Sequence, residues 1–290
     1  MKELTLAGIR RGNQFSPNHV GNDAAIFALT AEHLRKLGCK VNEHIESDLL
    51  LGDPTEQGIF NMVRDWKSIH KLQALEDRGY CVVNSGYGIE NCTREKMTRL
   101  LLSNHISHPK SLILQTTEDP IAQMEEAGFY NCWIKRGDFH AIHREDVTYV
   151  RNPEEARTIL KEYAIRGIPS AVINEHLVGD LVKFYGVAGT DFFYWFYPSN
   201  MHHSKFGLEA INGTAKGLPF DEQTLQTLCN EAAKVLHVEV YGGDCIVDEE
   251  GMIRLIDFND WPSFAPCRNE AAPQIARAIM SAIKAHQMKS

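Results

Sequence analysis

The sequence predicts three packed units that mix α/β and α+β architecture: an open α/β unit over residues 1–103, a small α+β unit over 104–173, and a β-rich unit over 174–290. Three observations carry this. Strand and helix signals alternate through the first unit, the pattern of a parallel sheet. After about Pro109 the strands are accompanied by few helices, and from Ser170 onward long β-rich runs dominate. At 290 residues the chain is longer than a usual single domain, so more than one core is expected.

Leu4 to Ile9 reads as a strand, and Asn22 is placed to cap a helix that buries Phe27, Ala31, Leu34 and Leu37 before Gly38 ends it. Lys40 to Ile45 is a short β-run. Gly58 to Val63 and Cys81 to Asn84 are further strands, separated by a helix from Asp65 to Gly79. In the second unit the strands are Ser111 to Gln115, Phe129 to Lys135 and Val147 to Val150, with a helix between the first two. A second helix starts at Asn152-Pro153, with Glu154 and Glu155 in its first turn and a buried stripe of Ala156, Ile159, Leu160 and Tyr163. The third unit reads as Ser170 to Leu177, Leu181 to Val187, Phe192 to Phe196, Val238 to Val247 and Met252 to Phe258, the last two joined by the turn Asp248-Glu249-Glu250-Gly251. One helix after Asp221 buries Leu225, Leu228, Ala232 and Val235, and another runs from about Glu270 to His286. A sheet with two covering helices is the simplest arrangement. No repeat, low-complexity tract or long linker interrupts the chain, so the units should pack closely.

Apolar and charged fractions of 43% and 23% are those of a folded globular protein. The formal charge of −8 argues against a nucleic-acid surface, which needs a basic stripe, but leaves room for a local basic cluster facing a phosphate-rich small molecule. The seven cysteines lie scattered in apolar segments without a CxxC pair, which suggests neither a zinc site nor a disulfide framework and fits a reducing cytoplasm. Met1-Lys2-Glu3 passes straight into a strand-like run without the order of a signal peptide, and no apolar stretch nears the roughly 20 residues that cross a bilayer. The expectation is a cytoplasmic protein with no membrane and no nucleic-acid partner.

The most informative stretch is Val238 to Phe264, which reads as a β-hairpin with Asp244 on one strand and Asp257, Asn259 and Asp260 at the end of the other. Residues two apart on a strand share a face, so Asp257 and Asn259 project together, and pairing across the turn can bring Asp244 beside them. Oxygen-only ligation of this kind suits Mg²⁺, which keeps waters and nucleotide phosphates as its other ligands. Asp and Asn also form turns at strand ends, and spacing alone leaves both readings open.

Ile256-Asp257-Phe258-Asn259-Asp260-Trp261-Pro262 is similar to the Asp-x-Asn-x-x-Pro-Gly ending of the ATP-grasp superfamily, and Gly243-Asp244-Cys245-Ile246 to its Gly-x-Asp-aliphatic strand. The order of motifs along nearly the whole chain resembles the branch with glutathione synthetase, the ribosomal-protein glutamate ligases and the inositol trisphosphate 5/6-kinases. The resemblance implies an ATP-grasp fold in which the second unit is a lid, with ATP and Mg²⁺ (or Mn²⁺) as cofactors and Asp244, Asp257 and Asn259 as metal ligands. Thr93-Arg94-Glu95-Lys96 resembles the family's Asp-Lys at a helix start, making Lys96 a nucleotide contact, and Trp133-Ile134-Lys135 resembles the strand whose lysine touches α- and β-phosphates. Ala171 to Leu177 resembles the hinge strand, which implies adenine recognition by Asn174, Glu175 and Leu177. Gly179 to Val187 resembles the next strand, placing Lys183 at the phosphates and the reacting centre and Asp180 near the ribose.

The chain departs from the family where Arg136-Gly137-Asp138-Phe139-His140-Ala141-Ile142-His143-Arg144 replaces the glycine-rich lid loop, so phosphate contact is expected to pass to His140, His143 or Arg144. Ser263 stands for the final glycine, and Phe264 to Arg268 occupy the acceptor region. The aromatic run Phe192 to Pro198 is better explained by a strand buried on one face than by a base-stacking platform. Most of the superfamily makes C–N bonds, so the resemblance implies a carboxylate–amine ligase acting on a small molecule or peptide, with Lys183, Arg144 and Arg268 as catalytic candidates. The alternatives are a kinase for an inositol-phosphate-like polyol, whose loops here carry only Arg10, Arg11, Arg64, Lys67, Arg144, Lys205 and Arg268, and a non-catalytic nucleotide-binding protein. Many relatives dimerise, which leaves a homodimer open.

Overall fold

A computed structural model describes residues 4–16, 19–140, 143–198 and 211–288. Pro17, Ala141, Ile142 and Lys205, which enter the sequence reading of the acceptor loops and the lid, lie outside the described residues. The described strands form three four-stranded sheets.

The first sheet contains β1 (Leu4–Arg10), β2 (Cys39–Ile45), β3 (Gly58–Asn61) and β4 (Val82–Val83) in the order β2-β1-β3-β4, every pairing parallel. Parallel neighbours require crossovers, here α1 (Val20–Lys36) and α2 (Trp66–Asp77). Asp65 caps α2 by accepting from the amides of Lys67 and Ser68 at 2.9 and 3.2 Å, a contact worth about 1 kcal/mol. α1 begins earlier than the sequence suggests: His19 is its cap and Asn22 lies in its first turn. Leu37, expected on the buried stripe, falls beyond the last turn and is exposed. The short α3 (Gly86–Asn91) and α4 (Arg94–Ser103) lead out of this unit.

The second sheet, β5-β8-β6-β7, consists of β5 (Ser111–Gln115), β6 (Cys132–Arg136), β7 (Val147–Val150) and β8 (Ser170–Glu175), all antiparallel. Grouping Ser170 to Leu177 with the later strands is therefore incorrect. β8 pairs between β5 and β6, because its run Ala171, Val172, Ile173 is buried on both faces and needs a central place. α5 (Ile121–Ala127) and α6 (Pro153–Ile165) pack on this sheet. Asn152 caps α6 by accepting from the Glu155 amide at 2.8 Å, with Pro153 at the first helical position. The apolar core here draws only on residues from Leu112 to Ile173.

The third sheet, β10-β9-β11-β12, comprises β9 (Asp180–Val187), β10 (Phe193–Phe196), β11 (Val240–Val247) and β12 (Ile253–Asp260), again antiparallel. α7 (Glu222–Leu236) and α4 cover one face through Val182, Phe184, Tyr241, Cys245 and Val247. α8 (Arg268–Gln287) covers the other and is shared, because the same apolar cluster joins Tyr185 and Val187 to Ile275 and Ile279 and to Leu6, Phe27 and Phe60 of the first unit. Both faces of the aromatic run are used: Phe192, Tyr194 and Phe196 pack towards α8, while Phe193, Trp195 and Tyr197 pack towards α7. That run is core and does not line the cleft described below. Among the described residues no helix is long and apolar enough to cross a membrane.

Candidate active site

The three sheets meet at a cleft of about 310 Å³, within the size range of small-molecule sites. Its floor is the third sheet. On β9 the alternation is clean, with Leu181, Lys183 and Tyr185 facing the cleft while Val182 and Phe184 enter the core. On β11 the even positions Gly242, Asp244 and Ile246 face the cleft. β12 departs from simple alternation: Ile253, Leu255 and Phe258 are core, yet Asp257 and Asn259 line the cleft. A β-bulge explains the change of phase. Asp244 opposes Asp257 and Cys245 opposes Leu255, so Ile256 is the extra residue and the strand switches faces across it.

The pairing places Lys183, Asp244 and Asp257 in one row across three strands, with Tyr185, Gly242 and Asn259 in the next. Lys183 Nζ donates to both Asp244 oxygens at 2.9 and 3.1 Å. A side chain at Gly242 would press its Cβ to 2.6 Å from the Tyr185 ring and 2.8 Å from Pro262, so this part of the floor requires glycine.

Asp257 accepts from Arg94 Nη2 at 3.0 Å. Burial alone would raise its carboxyl, but Arg94, Lys135, the Asn259 side chain and Lys183 together hold it below the usual carboxylate range. Lys135 descends from β6 on the cleft-facing side, and its Nζ donates to the Ile256 carbonyl at 2.7 Å. Burial, reinforced by the nearby Arg94, lowers this ammonium to about 7.

The oxygen donor set is two carboxylates and an amide. No group of three or more His, Cys, Asp and Glu side chains suited to a metal exists among the described residues. Asp244, Asp257 and Asn259 thus fit a hard cation that keeps some ligands from water and phosphate, and not a closed all-protein cage.

The remaining expected residues separate into two groups. His140, Asn174, Glu175 and Leu177 line the cleft. His140 is turned towards the donor set, its Nδ1 3.2 Å from Asn259 Oδ1 and its Nε2 3.5 Å from Asp260 Oδ1. Asn174 donates to Ser111 Oγ at 2.7 Å, and the Glu175 amide and carboxylate are both engaged by Lys110. Lys96, Asp180, Arg144 and Arg268 do not line the cleft. Lys96 is two residues along the helix from Arg94, which turns it away to pair with Glu90 at 2.5 Å. Asp180 sits at the far end of β9 and accepts from the amides of Lys216 and Leu218 at 2.7 and 2.8 Å. Arg144 opens an exposed 3-10 turn, and Arg268 donates to Asn22 at 3.0 Å.

Sequence reasoning overlooked several cleft residues. Arg94 is the cation at the start of α4 that reaches the donor set, and the first-turn position on that helix was the available signal. Trp133 shares the cleft face with Lys135 by strand period alone. Arg11 and Arg64 are bound by Asp23 and Asp260 at 2.9 and 2.8 Å, and Arg11 also donates to the Trp261 carbonyl at 2.9 Å. The single glycine of the lid run, Gly137, packs against Ser170, where a Cβ would come within 2.4 Å of the hydroxyl.

No protein-family model and no curated protein sequence matches the chain. Solved structures do. The D-alanine–D-alanine ligase from Bacillus anthracis, complexed with ATP, aligns over 99% of this chain and 100% of its own with a TM-score of 0.72 at 12% identity. The chain has the ATP-grasp fold. D-alanyl-alanine synthetase A from Vibrio cholerae O1 biovar eltor gives a TM-score of 0.70 at 11% identity over 98% of this chain and 99% of that one. The D-alanine–D-alanine ligase from Coxiella burnetii gives 0.69 at 14% over 99% and 97%. Within the ATP-grasp fold the cleft lies where all three sheets converge, and its two ends differ. Trp133, Val147, Leu177, Leu181 and Ile246 make one end apolar, and Arg11, Ser16, His19, Asp23 and Ser263 make the other polar.

Proposed function

We propose that the chain is an ATP- and Mg²⁺-dependent ligase, able also to use Mn²⁺, that joins a carboxylate to an amine through an acyl phosphate on a small molecule or peptide. The observation that carries this reading is the row Lys183, Asp244 and Asp257 at the cleft floor with Asn259 one pair further on, between an apolar end and a polar one. The apolar end suits the adenine ring, stacked beside Trp133, and the polar end suits the acceptors.

Phosphoryl transfer needs positioning and charge neutralisation more than covalent help from the protein. Lys135 and Lys183 neutralise the phosphate oxygens, and Arg94 offers its planar fork to the same charge. Asp244, Asp257 and Asn259 would hold the metal, which supplies charge neutralisation at the β- and γ-phosphates. In this reaction the acceptor carboxylate attacks the γ-phosphorus as the bond to ADP breaks, and the amine then attacks the acyl carbon, losing a proton as inorganic phosphate leaves. The low-dielectric floor formed by Tyr185, Gly242 and Pro262 excludes water from the acyl phosphate. Arg144 and Arg268, outside the cleft lining, carry no step.

The cations at the acceptor end favour the ligase over a polyol-phosphate kinase. Arg11 and Arg64 are each matched by a buried carboxylate, which leaves little charge there for a polyphosphorylated acceptor. The seven cysteines, all free and buried, agree with a cytoplasmic setting. The test is turnover with ATP and Mg²⁺ against D-alanine first, then pools of amino acids, dipeptides, hydroxy acids and inositol phosphates, following ADP release and product mass. A condensed product with phosphate release is expected. A product heavier by one phosphate would replace the ligase by a kinase, and nucleotide binding without turnover on any pool would favour a binding protein.

A further inference from the structure

We infer that Arg94 is a positioning residue that makes metal entry conditional on nucleotide: with Lys183 it occupies the two metal-binding carboxylates until a polyphosphate arrives. The inference rests on the ligase reading for the identity of metal and nucleotide. Arg94 is the first residue of α4, its side chain only 7% exposed, with Nη2 3.0 Å from Asp257 Oδ2. Lys183 Nζ lies against both oxygens of Asp244.

The charge of this arrangement decides the behaviour. Two carboxylates face two cations, Asn259 is neutral, and Lys135 adds no negative charge. A free divalent cation therefore meets a site with no net attraction, next to two positive groups, and Mg²⁺ gives up its own water reluctantly. A triphosphate changes both terms. It brings the missing negative charge, and it offers Arg94 and Lys183 an alternative anionic partner, for which the arginine fork is well suited. Released from their cations, Asp257 and Asp244 are then available to a metal already carried on the phosphates. Lys96, the residue matched to the family's lysine, pairs with Glu90 and takes no part.

The experiment is Mn²⁺ titration of the full chain, followed by electron paramagnetic resonance of the free ion, with and without a non-hydrolysable ATP analogue. Wild type is expected to bind Mn²⁺ at least about tenfold more tightly with the analogue, and Arg94→Met to bind Mn²⁺ alone at least about tenfold more tightly than wild type does. Lys183→Met should shift in the same direction, and Arg94→Lys, which keeps the charge, should stay near wild type. Thermal melts identify the folded variants, so that either methionine variant suffices. Equal Mn²⁺ affinity with and without the analogue, or no gain in a folded methionine variant, overturns the inference. A gain in the methionine variants without any analogue effect keeps the carboxylate-blocking role of Arg94 but rejects the nucleotide site and the conditional entry with it. No Mn²⁺ binding in any protein rejects both.

Discussion

His108 gives the chain a pH-dependent stability that can be measured directly. The residue is buried, and burial, with Lys135 nearby, pushes its pKa from 6.5 down to about 3. The neighbouring backbone is fixed, because Ser107 accepts from the Leu255 amide at 2.9 Å and its hydroxyl donates to the Ile253 carbonyl at 2.6 Å. The folded chain therefore keeps the imidazole neutral where the unfolded chain protonates it. The contribution is fully present above pH 6.5 and is lost as the pH falls from 6.5 towards 3. Each pH unit in that window is worth about 1.4 kcal/mol, so acidification from pH 6.5 to 4.5 should cost wild type about 3 kcal/mol through this one group. His108→Leu removes the titration and fills similar space. Urea unfolding of both proteins at pH 6.5, 5.5 and 4.5 and constant ionic strength should show the variant gaining about 3 kcal/mol on wild type over the range. Parallel pH dependence, with the difference changing by under about 1 kcal/mol, would refute the argument that His108 is buried and neutral.

Asp257→Asn should lower ADP release at least about 100-fold and destabilise the fold by on the order of 3 kcal/mol, because Arg94 and Lys135 lose their common counter-charge; steady-state turnover and urea unfolding measure the two effects. Trp133 fluorescence should change on ATP binding, and Trp133→Ala should weaken nucleotide affinity about tenfold by calorimetry. His140→Ala should weaken metal-dependent nucleotide binding about tenfold through loss of its contact with Asn259, whereas Lys96→Ala and Arg144→Ala should stay within about twofold.

The order of strands and helices was legible because each obeys a local period: the β-α alternation of residues 4–83, the capped stripe of α6, and the hairpin from Val240 to Asp260. The convergence of Asp244 with Asp257 was legible as a hairpin pairing. The phase of β12 was not, since a bulge at Ile256 depends on a hydrogen-bond register that no side-chain period announces. Arg94 and Lys96 illustrate the same limit on a helix. Motif likeness selects the lysine, but which of two cations two residues apart faces the cleft is set by how α4 docks on the third sheet. The partners of Arg11 and Arg64 lie 12 and 196 residues away, beyond any local pattern.

The second sheet closes its apolar core entirely within residues 112–173, whereas α8 binds the first and third sheets into one hydrophobic cluster. Swinging the second sheet away from the cleft consequently exposes no oil to water. The bonds it must release at the cleft rim are polar: Lys135 to Ile256, His140 to Asn259, and Glu95 to Gly137 and Ser170. At about 1 kcal/mol net for each, such bonds sum to a few kcal/mol, small enough for repeated opening. The pivots are short. Ser107 is pinned to β12 and Lys110 to Glu175, so the bend falls at His108-Pro109 on one side and at residues 176–179 on the other. A door hung on those two points turns beside Leu177, leaving the apolar end of the cleft nearest the axis and sweeping Lys135 and His140 through the widest arc.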